Sequence, residues 1–406
     1  MPHGHSMTTP PARLCAFVGC YTEGPGEGPG GIDVFDVSAD GKHLTHLSHA
    51  AEPAQAGYLV YAPASSVLYA VDERKTDGRG PVGRPAAVHA LAVDRHTANL
   101  TPLNSRITPG PRPTYLSLEA SRNILVSANH GDFDHVERVV PATDGGWAVE
   151  YLYDDSTVVV YTLREDDGAI GDISDVAVFR SGGPDPNSSP QAGGHAQASG
   201  HAHCAVIDPT GRFLIVCDKS TDRISVFELG ATLTAVSTYQ LPPQTGPRHL
   251  AFDPRSDRAY LTAEFSSELI SLRFDPSEGS FTVLDRKPTT APDYVGPNEP
   301  AEVRVHPNGQ FVYLNNRGED SLAWFRVDAA GGLTRAGHTP LSRSIHPGLA
   351  ARSFAFDPTG SFLLVADRPA DLVRSYAVDE TTGALEHLGD TAVADPAFVE
   401  FAELNA

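Results

Sequence analysis

A turn recurs along this sequence, and ionisable residues recur at two fixed distances from it. We call these two positions registers. Basic side chains occupy three copies of the register five residues before the turn start, namely His203, Arg248 and Arg352. The register eleven residues after the turn start is ionisable in all six aligned copies, which are Glu73, His130, Lys219, Glu264, Arg317 and Arg368. Imidazoles can accept protons near neutral pH, and guanidinium groups bind carboxylates, phosphates and polarised carbonyls. Such a set could activate water against a carbonyl compound.

The turn belongs to a repeated unit of short apolar strands. Four clear copies have turn starts 45, 53 and 51 residues apart, at Asp208, Asp253, His306 and Asp357, and two weaker copies precede them. Each copy has two strands around the turn, a third strand and a closing Gly-x-Leu element. A period of this length with four strands is typical of a propeller blade.

The repeat count predicts an all-β protein, a seven-bladed β-propeller with four-stranded antiparallel blades. The first unit lacks one strand, and the C-terminal strand from Ala397 completes that first blade and closes the ring, which protects both sheet edges. We predict a disordered leader over residues 1–13 and a single propeller domain over residues 14–406. Two long irregular stretches are candidate lids: residues 132–155 inside the third blade and residues 181–200 before the fourth.

The two registers should meet at one mouth of the central channel. The first register precedes the innermost strand and the second follows the next strand, so the hairpin between them returns the chain to the same end of the blade. There we expect a cluster of His203, Arg248, Glu264 and Arg317, which would give a locally cationic mouth on an acidic protein. Substrate-binding neighbours are predicted to be His201, Glu302, Arg352, His130 and Glu73. Strand-end charges can also be solvated or paired ions, an alternative that applies most to Glu73, Lys219 and Arg368.

Charge and composition exclude several classes of partner. The chain has 30 lysines and arginines against 51 aspartates and glutamates, a formal net charge of −21, which disfavours nucleic acid and anionic membranes. No apolar run approaches the roughly 20 residues that span a bilayer. The four cysteines form no CxxC pair, as expected of reduced thiols in the cytoplasm, where we place the protein. Its oligomeric state stays open.

Neither a metal nor a cofactor is predicted. His201 and His203 form a His-x-His pair that could chelate a metal, but no cysteine or carboxylate ligand follows at a recognisable spacing. The glycine-rich segment from Gly24 lacks the lysine and hydroxyl residue of a phosphate-binding loop. The predicted partner is an anionic, carbonyl-containing small molecule.

Four motifs resemble those of a known family. They are Phe17-Val-Gly-Cys-Tyr-Thr, His203-Cys-Ala-Val-Ile-Asp-Pro-Thr-Gly-Arg-Phe, Gly246-Pro-Arg-His-Leu-Ala-Phe-Asp-Pro and Leu314-Asn-Asn-Arg-Gly-Glu-Asp-Ser. Over roughly residues 14–404, the chain resembles the seven-bladed β-propeller lactonases, which include bacterial propeller-type 6-phosphogluconolactonases and fungal carboxymuconate-lactonising enzymes. The resemblance implies an active-site set of His203, Arg248, Glu264 and Arg317. The chain departs from the family at Ala263, where an asparagine usually precedes the glutamate.

Lactone hydrolysis is therefore the leading functional hypothesis, with 6-phosphogluconolactone as the favoured substrate. His203 fits the role of base provided that its pKa stays near neutral, with Glu264 orienting it or sharing the role, while the arginines polarise the carbonyl or bind an anionic group. One alternative is a muconate-type cycloisomerase that uses the same groups to close a lactone. Another is a non-catalytic propeller that binds ligands or proteins, because fold alone does not decide function.

Overall fold

A computed structural model describes residues 13–22, 28–75, 85–133, 135–183 and 197–405. The predicted leader, apart from Arg13, and residues 184–196 of the predicted second lid lie outside these described residues. Within the described ranges, no helix has the length and apolar character needed to cross a membrane.

The N-terminal part of the chain forms three blades. The first blade begins with β1 (Arg13–Cys20), β2 (Gly31–Val37) and β3 (Leu44–Ala50). The second contains β4 (Leu59–Ala62), β5 (Val67–Asp72), β6 (Ala87–Val93) and β7 (Leu100–Ile107). The third contains β8 (Pro113–Glu119), β9 (Ile124–Asn129), β12 (Ser156–Leu163) and β13 (Ile170–Phe179), with β10 (His135–Pro141) and β11 (Trp147–Tyr153) inserted after β9.

Four further blades follow, and the last strand returns to the first. The fourth contains β14 (Ala202–Ile207), β15 (Phe213–Asp218), β16 (Arg223–Leu229) and β17 (Leu233–Gln240). The fifth contains β18 (Pro247–Phe252), β19 (Arg258–Ala263), β20 (Glu268–Asp275) and β21 (Ser280–Pro288). The sixth contains β22 (Glu299–Val305), β23 (Phe311–Arg317), β24 (Ser321–Val327) and β25 (Leu333–Pro340). The seventh contains β26 (Ser353–Phe356), β27 (Phe362–Asp367), β28 (Leu372–Val378) and β29 (Leu385–Ala392), and β30 (Pro396–Leu404) ends the chain. Short 3-10 turns cover Ala120–Arg122, Pro347–Leu349 and Arg368–Ala370.

The seven-bladed fold and its closure are confirmed. These strands form seven four-stranded sheets, and the first has the order β3-β2-β1-β30. Strand β30 pairs antiparallel with β1 over most of its length, for example Val18 with Val399. Every four-stranded sheet is antiparallel. Because β1 and β30 belong to the same sheet, the first and last strands meet within one blade and protect both edges of the ring.

The repeated turn follows directly from its residue types. In the fourth blade, the Asp208 carboxylate accepts hydrogen bonds from the backbone N–H of Phe213 at 2.6 Å and from Thr210 Oγ1 at 2.6 Å. Gly211 has a φ of 71°, which glycine adopts without strain. The second strand of a blade directly follows this turn. In β15 and β27 this strand is buried along its whole length, because it packs between neighbouring blades.

The inserted segment of the third blade is not irregular, contrary to expectation. Strands β10 and β11 pair antiparallel into a two-stranded ribbon, which leaves the blade just after His130. Its side chains are largely exposed, at 75% for Trp147 and 72% for Val139. The alternation of β-branched and aromatic residues around Asp144-Gly-Gly is a hairpin pattern, and this pattern explains the ribbon.

Candidate active site

A small cavity lies at the centre of the ring, and each of the seven blades contributes to its wall. The polar residues that matter most in its wall are Thr114, His203, Arg248, His249, Glu302 and Arg352.

Bulges in the innermost strands aim consecutive residues at this cavity. In regular strands, neighbouring side chains point to opposite faces. The pairing of β18 with β19 is irregular between Pro247 and Leu250, and Arg248 and His249 both line the cavity as a result. Similar irregularities occur at the start of β8, β14 and β22. Bulges near active sites commonly redirect a side chain in this way.

Three cations surround the buried carboxylate of Glu264. Its Oε2 lies 2.7 Å from Arg248 Nε and 2.8 Å from Arg317 Nη2, while Lys219 Nζ donates to Oε1 at 2.9 Å. Burial of the 2% exposed side chain opposes ionisation, but Lys219, Arg317 and Arg248 outweigh it and hold the pKa of Glu264 well below its usual range. Glu264 is therefore an ionised anchor for these cations and a poor acceptor of a proton.

Arg248 is the most buried cation of the cavity wall, at 1% exposure. Burial and the neighbouring Arg317 lower its pKa to about 9, so the guanidinium remains charged at neutral pH. Among the described residues, its Nη1 has no hydrogen-bond partner. Buried donors in proteins are nearly always satisfied, so an unpartnered guanidinium nitrogen in a cavity wall is suited to donate to a bound molecule.

Three histidines cluster beside Arg248. The rings of His130 and His201 stack with centroids 4.4 Å apart, and His130 meets His203 edge to face at 5.1 Å. Burial and then Arg248 lower the pKa of His203 well below its usual value. The near-neutral pKa required by the sequence interpretation is therefore not met: His203 is a neutral imidazole at physiological pH, able to accept a proton but a weaker base than an ordinary histidine.

A tyrosine links the remaining predicted residues at the opposite side of the cavity. Tyr21 Oη donates to Glu73 Oε2 at 2.6 Å and accepts a hydrogen bond from Arg352 Nη1 at 3.1 Å. Arg368 lies over the Tyr21 ring at 4.7 Å and is paired with Asp395. Burial opposes the charge of Arg352, but Tyr21 and Glu73 outweigh it and raise the pKa of that guanidinium.

The sequence and the fold match those of a known family. Residues 15–401 match the family model described as lactonase, 7-bladed beta-propeller. The chain belongs to this lactonase family.

Named relatives of this lactonase chain come from several bacteria. A 6-phosphogluconolactonase of Bacillus subtilis is 27% identical over 391 residues, which cover 96% of this chain and 98% of the relative. A 6-phosphogluconolactonase of Formosa agariphila is 24% identical and covers 92% of this chain and 94% of its own length. The structure of the periplasmic gluconolactonase of Pseudomonas aeruginosa superposes with a TM-score of 0.78 at 27% identity, covering 97% of this chain and 99% of that one.

The lactonase fold gathers all nine predicted site residues around one mouth, in three relations to the cavity. Four line the cavity: His203, Arg248, Glu302 and Arg352. Glu264 and Arg317 lie directly behind Arg248, His130 and His201 lie beside His203, and Glu73 lies beside Arg352. The paired, buried states of Lys219 and Arg368 agree with the structural alternative given for them.

The sequence interpretation of this lactonase did not select two polar wall residues, Thr114 and His249. His249 stands in the Gly246-Pro-Arg-His motif, directly after Arg248, so a regular strand would turn it away from the cavity. A β-bulge predicted at Pro247 of this motif would have placed His249 in the cavity wall. Within the described ranges, no group of three or more His, Cys, Asp or Glu side chains is arranged to hold a metal ion.

Proposed function

We propose that this protein hydrolyses a sugar-acid lactone, with 6-phosphogluconolactone as substrate and 6-phosphogluconate as product. The observation that carries the proposal is the buried Arg248, whose Nη1 has no partner among the described residues, in one cavity wall with His203. The names of the relatives from Bacillus subtilis and Formosa agariphila support the phosphorylated substrate. Such a reaction would belong to the pentose phosphate pathway.

The proposed reaction uses one base and one positioned cation. Water attacks the lactone carbonyl carbon and transfers a proton to His203, while Arg248 donates to the oxyanion of the tetrahedral intermediate. The intermediate then collapses, the bond between the carbonyl carbon and the ring oxygen breaks, and His203 returns the proton to that oxygen. The product is an open-chain hydroxy acid, whose carboxylate remains beside Arg248.

Other side chains of the site hold Arg248 in place and provide a second contact for an anion. Glu264 holds the guanidinium of Arg248 and is itself held by Arg317, which lowers the cost of aligning Arg248 during the reaction. Arg352 lines the cavity and is the proposed contact for a second anionic group, such as the phosphate.

Three further residues take supporting roles in substrate binding. His130 Nε2 is without a hydrogen-bond partner among the described residues and is the proposed donor or acceptor for a sugar hydroxyl. His201 supports His130 through a hydrogen bond of 2.8 Å between its Nδ1 and the His130 carbonyl. Glu73 supports Arg352 through Tyr21.

A panel of phosphorylated and free aldonolactones, followed by pH-stat or hydroxamate assay, tests the function. We expect rapid hydrolysis of 6-phosphogluconolactone and competitive inhibition by inorganic phosphate. Turnover of free lactones without phosphate inhibition would assign a non-phosphorylated sugar-acid lactone. Formation of a lactone from a muconate would favour the cycloisomerase, and silence on all substrates would favour a binding propeller.

The ribbon of β10 and β11 is the candidate lid that the structure describes. Phe133 at its base contacts the ring of His201 at 4.7 Å, so the ribbon begins at the proposed site. Replacing residues 135–153 by two glycines should raise KM several-fold with kcat nearly unchanged, because only binding contacts are lost. The melting temperature should change little, since the ribbon side chains are mostly exposed. An unchanged KM on the preferred lactone would exclude the lid role.

We also propose a cytoplasmic location. The four cysteines are buried free thiols, which suits a reducing compartment. The similar Pseudomonas aeruginosa protein is described as periplasmic, so the compartment needs a direct test. Fractionation of the source cells should recover the protein with cytoplasmic markers, and recovery with periplasmic markers would contradict the assignment.

A further inference from the structure

A buried line of side chains connects Glu302 through His249 to His203. His249 Nε2 lies 3.2 Å from His203 Nδ1 within hydrogen-bond geometry, whereas His249 Nδ1 lies 3.4 Å from Glu302 Oε2 in a close polar contact that lacks hydrogen-bond alignment. Their exposed fractions are 5% for His203, 4% for His249 and 4% for Glu302. The line runs from the sixth blade through the fifth to the fourth, so closure of the ring is what assembles it.

The carboxylate end of this line is ionised. Burial opposes the charge of Glu302, but Arg304 and His249 outweigh it and lower the pKa of the carboxyl. Arg304 Nε lies 3.3 Å from Glu302 Oε1, and the backbone N–H of Glu302 donates to Asn315 Oδ1 at 2.8 Å. An ionised carboxylate can only accept hydrogen bonds, so the nitrogen that faces it is favoured to carry a proton.

A proton on the nitrogen that faces Glu302 determines which nitrogen is protonated in His249 and, through it, in His203. Burial and Arg248 lower the pKa of His249 to about 4, so the ring is neutral and carries a single N–H. With that proton on Nδ1 toward Glu302, His249 Nε2 is an acceptor. Its partner, His203 Nδ1, must then be the donor. The other nitrogen of the neutral His203 ring, Nε2, is left with its lone pair.

We propose that Glu302 and His249 are positioning residues that keep the His203 proton on Nδ1, so that Nε2 presents a lone pair in the cavity. The role of this lone pair in the reaction rests on the proposed lactonase function. The substrate-binding role predicted for Glu302 is thereby replaced by orientation of the base. The logic is that of any catalytic imidazole whose tautomer is fixed by a carboxylate on its far side.

Other charged groups around these rings do not supply the same preference. His203 faces Arg248 and His249 from β18, His130 after β9 and Lys219 after β15, all of which lower its pKa after burial. His249 faces Arg248, Glu302 and Arg352, together with the aromatic rings of Tyr58 and Tyr115. The cations favour neutral rings, whereas Glu302 is the carboxylate within reach of His249 Nδ1 and favours a proton on that nitrogen.

Nitrogen NMR of histidine-labelled protein tests the tautomer without any substrate. The chain has 17 histidines, and the difference spectrum against His203→Asn identifies the His203 signals. We expect a protonated Nδ1 and an unprotonated Nε2 in the wild-type protein at pH 7. In Glu302→Gln, whose amide can either donate or accept, we expect a mixture of both tautomers. A protonated Nε2 in the wild-type protein, or an unchanged spectrum in Glu302→Gln, would overturn the proposal.

Kinetics of the same variants test the link to catalysis. Glu302→Gln and His249→Phe should lower kcat on the preferred lactone on the order of 10- to 100-fold with KM nearly unchanged, as when a group orienting a functional imidazole is removed. Glu400→Gln is the matched control, because Glu400 is a half-buried acid near Arg304 and accepts a hydrogen bond from the backbone N–H of Tyr61. It should change neither tautomer nor kcat.

The two kinds of failure are separable. If the wild-type protein has the expected tautomer but hydrolyses no lactone, the proposed function fails and the orientation of His203 stands. If the wild-type protein hydrolyses lactones and both variants keep wild-type kcat, the positioning role fails and the function stands. His249→Phe provides the answer if Glu302→Gln does not fold, because it removes the acceptor for His203 and leaves the carboxylate with Arg304.

Discussion

Arg248→Ala should lower kcat/KM for the preferred lactone on the order of 100- to 1,000-fold, the range found when one positioned oxyanion donor is removed. The expected loss is large because Arg248 is 1% exposed and its Nη1 has no partner among the described residues. A donor in such a cavity is already aligned and desolvated before the substrate arrives. Most of the loss should appear in kcat, since the charge on the carbonyl oxygen develops in the transition state.

Two further substitutions make the Arg248 prediction specific. Arg248→Lys restores the charge without the planar fork and should recover only part of the activity. Arg212→Ala is the control, because Arg212 pairs with Glu228 at 3.3 Å on the surface, at the turn end of the fourth blade away from the mouth. It should keep wild-type kinetics. Activity of Arg248→Ala within a few-fold of wild type would reject the assigned role.

Glu264→Gln should be both strongly destabilising and nearly inactive. It removes the carboxylate that Lys219, Arg248 and Arg317 share, and of these three cations Arg317 keeps an ion pair with Glu299 at 3.3 Å. Breaking a buried ion pair from one side typically costs about 3–5 kcal/mol of unfolding free energy. Urea unfolding followed by tryptophan fluorescence measures this cost. A free energy of unfolding within experimental error of wild type would contradict the anchoring role of Glu264.

The stability difference between Glu264→Gln and wild type should depend on pH in a defined direction. The folded pKa of Glu264 is well below the unfolded value of about 4.3, so its ionisation stabilises the native state above that pH. This contribution is lost as pH falls below about 4.3 through the folded pKa. The two unfolding free energies should therefore run parallel at neutral pH and converge in acid. Exposed Glu228→Gln should follow the wild-type curve throughout.

The sequence predicted the ring and most of its mouth because both follow from a simple count. Each blade places one residue at the same distance from a turn whose aspartate and glycine fix the hairpin, as Asp208 and Gly211 do. Identical hairpins bring identical positions to one end of every blade, so Arg248 and Glu264 were expected to meet. In the structure, Arg248 Nε lies 2.7 Å from Glu264 Oε2, as this expectation requires.

Other features depended on local deviations that a count does not contain. His249 reaches the cavity only because β18 bulges beside Pro247, whereas strict alternation would turn it away. The depressed pKa of His203 arises from burial and from charges supplied by other blades, chiefly Arg248. The ribbon that contains Trp147 was not predicted, because it interrupts the blade period. Its own residues nevertheless alternate as those of a hairpin do.

A crystal structure of the wild-type protein with 6-phosphogluconate tests the central claim most directly. The account predicts that the product occupies the cavity at the centre of the ring, with its carboxylate within hydrogen-bond distance of Arg248 and beside the His203 ring. A product molecule bound outside this cavity, or one whose carboxylate lies away from both side chains, would contradict it.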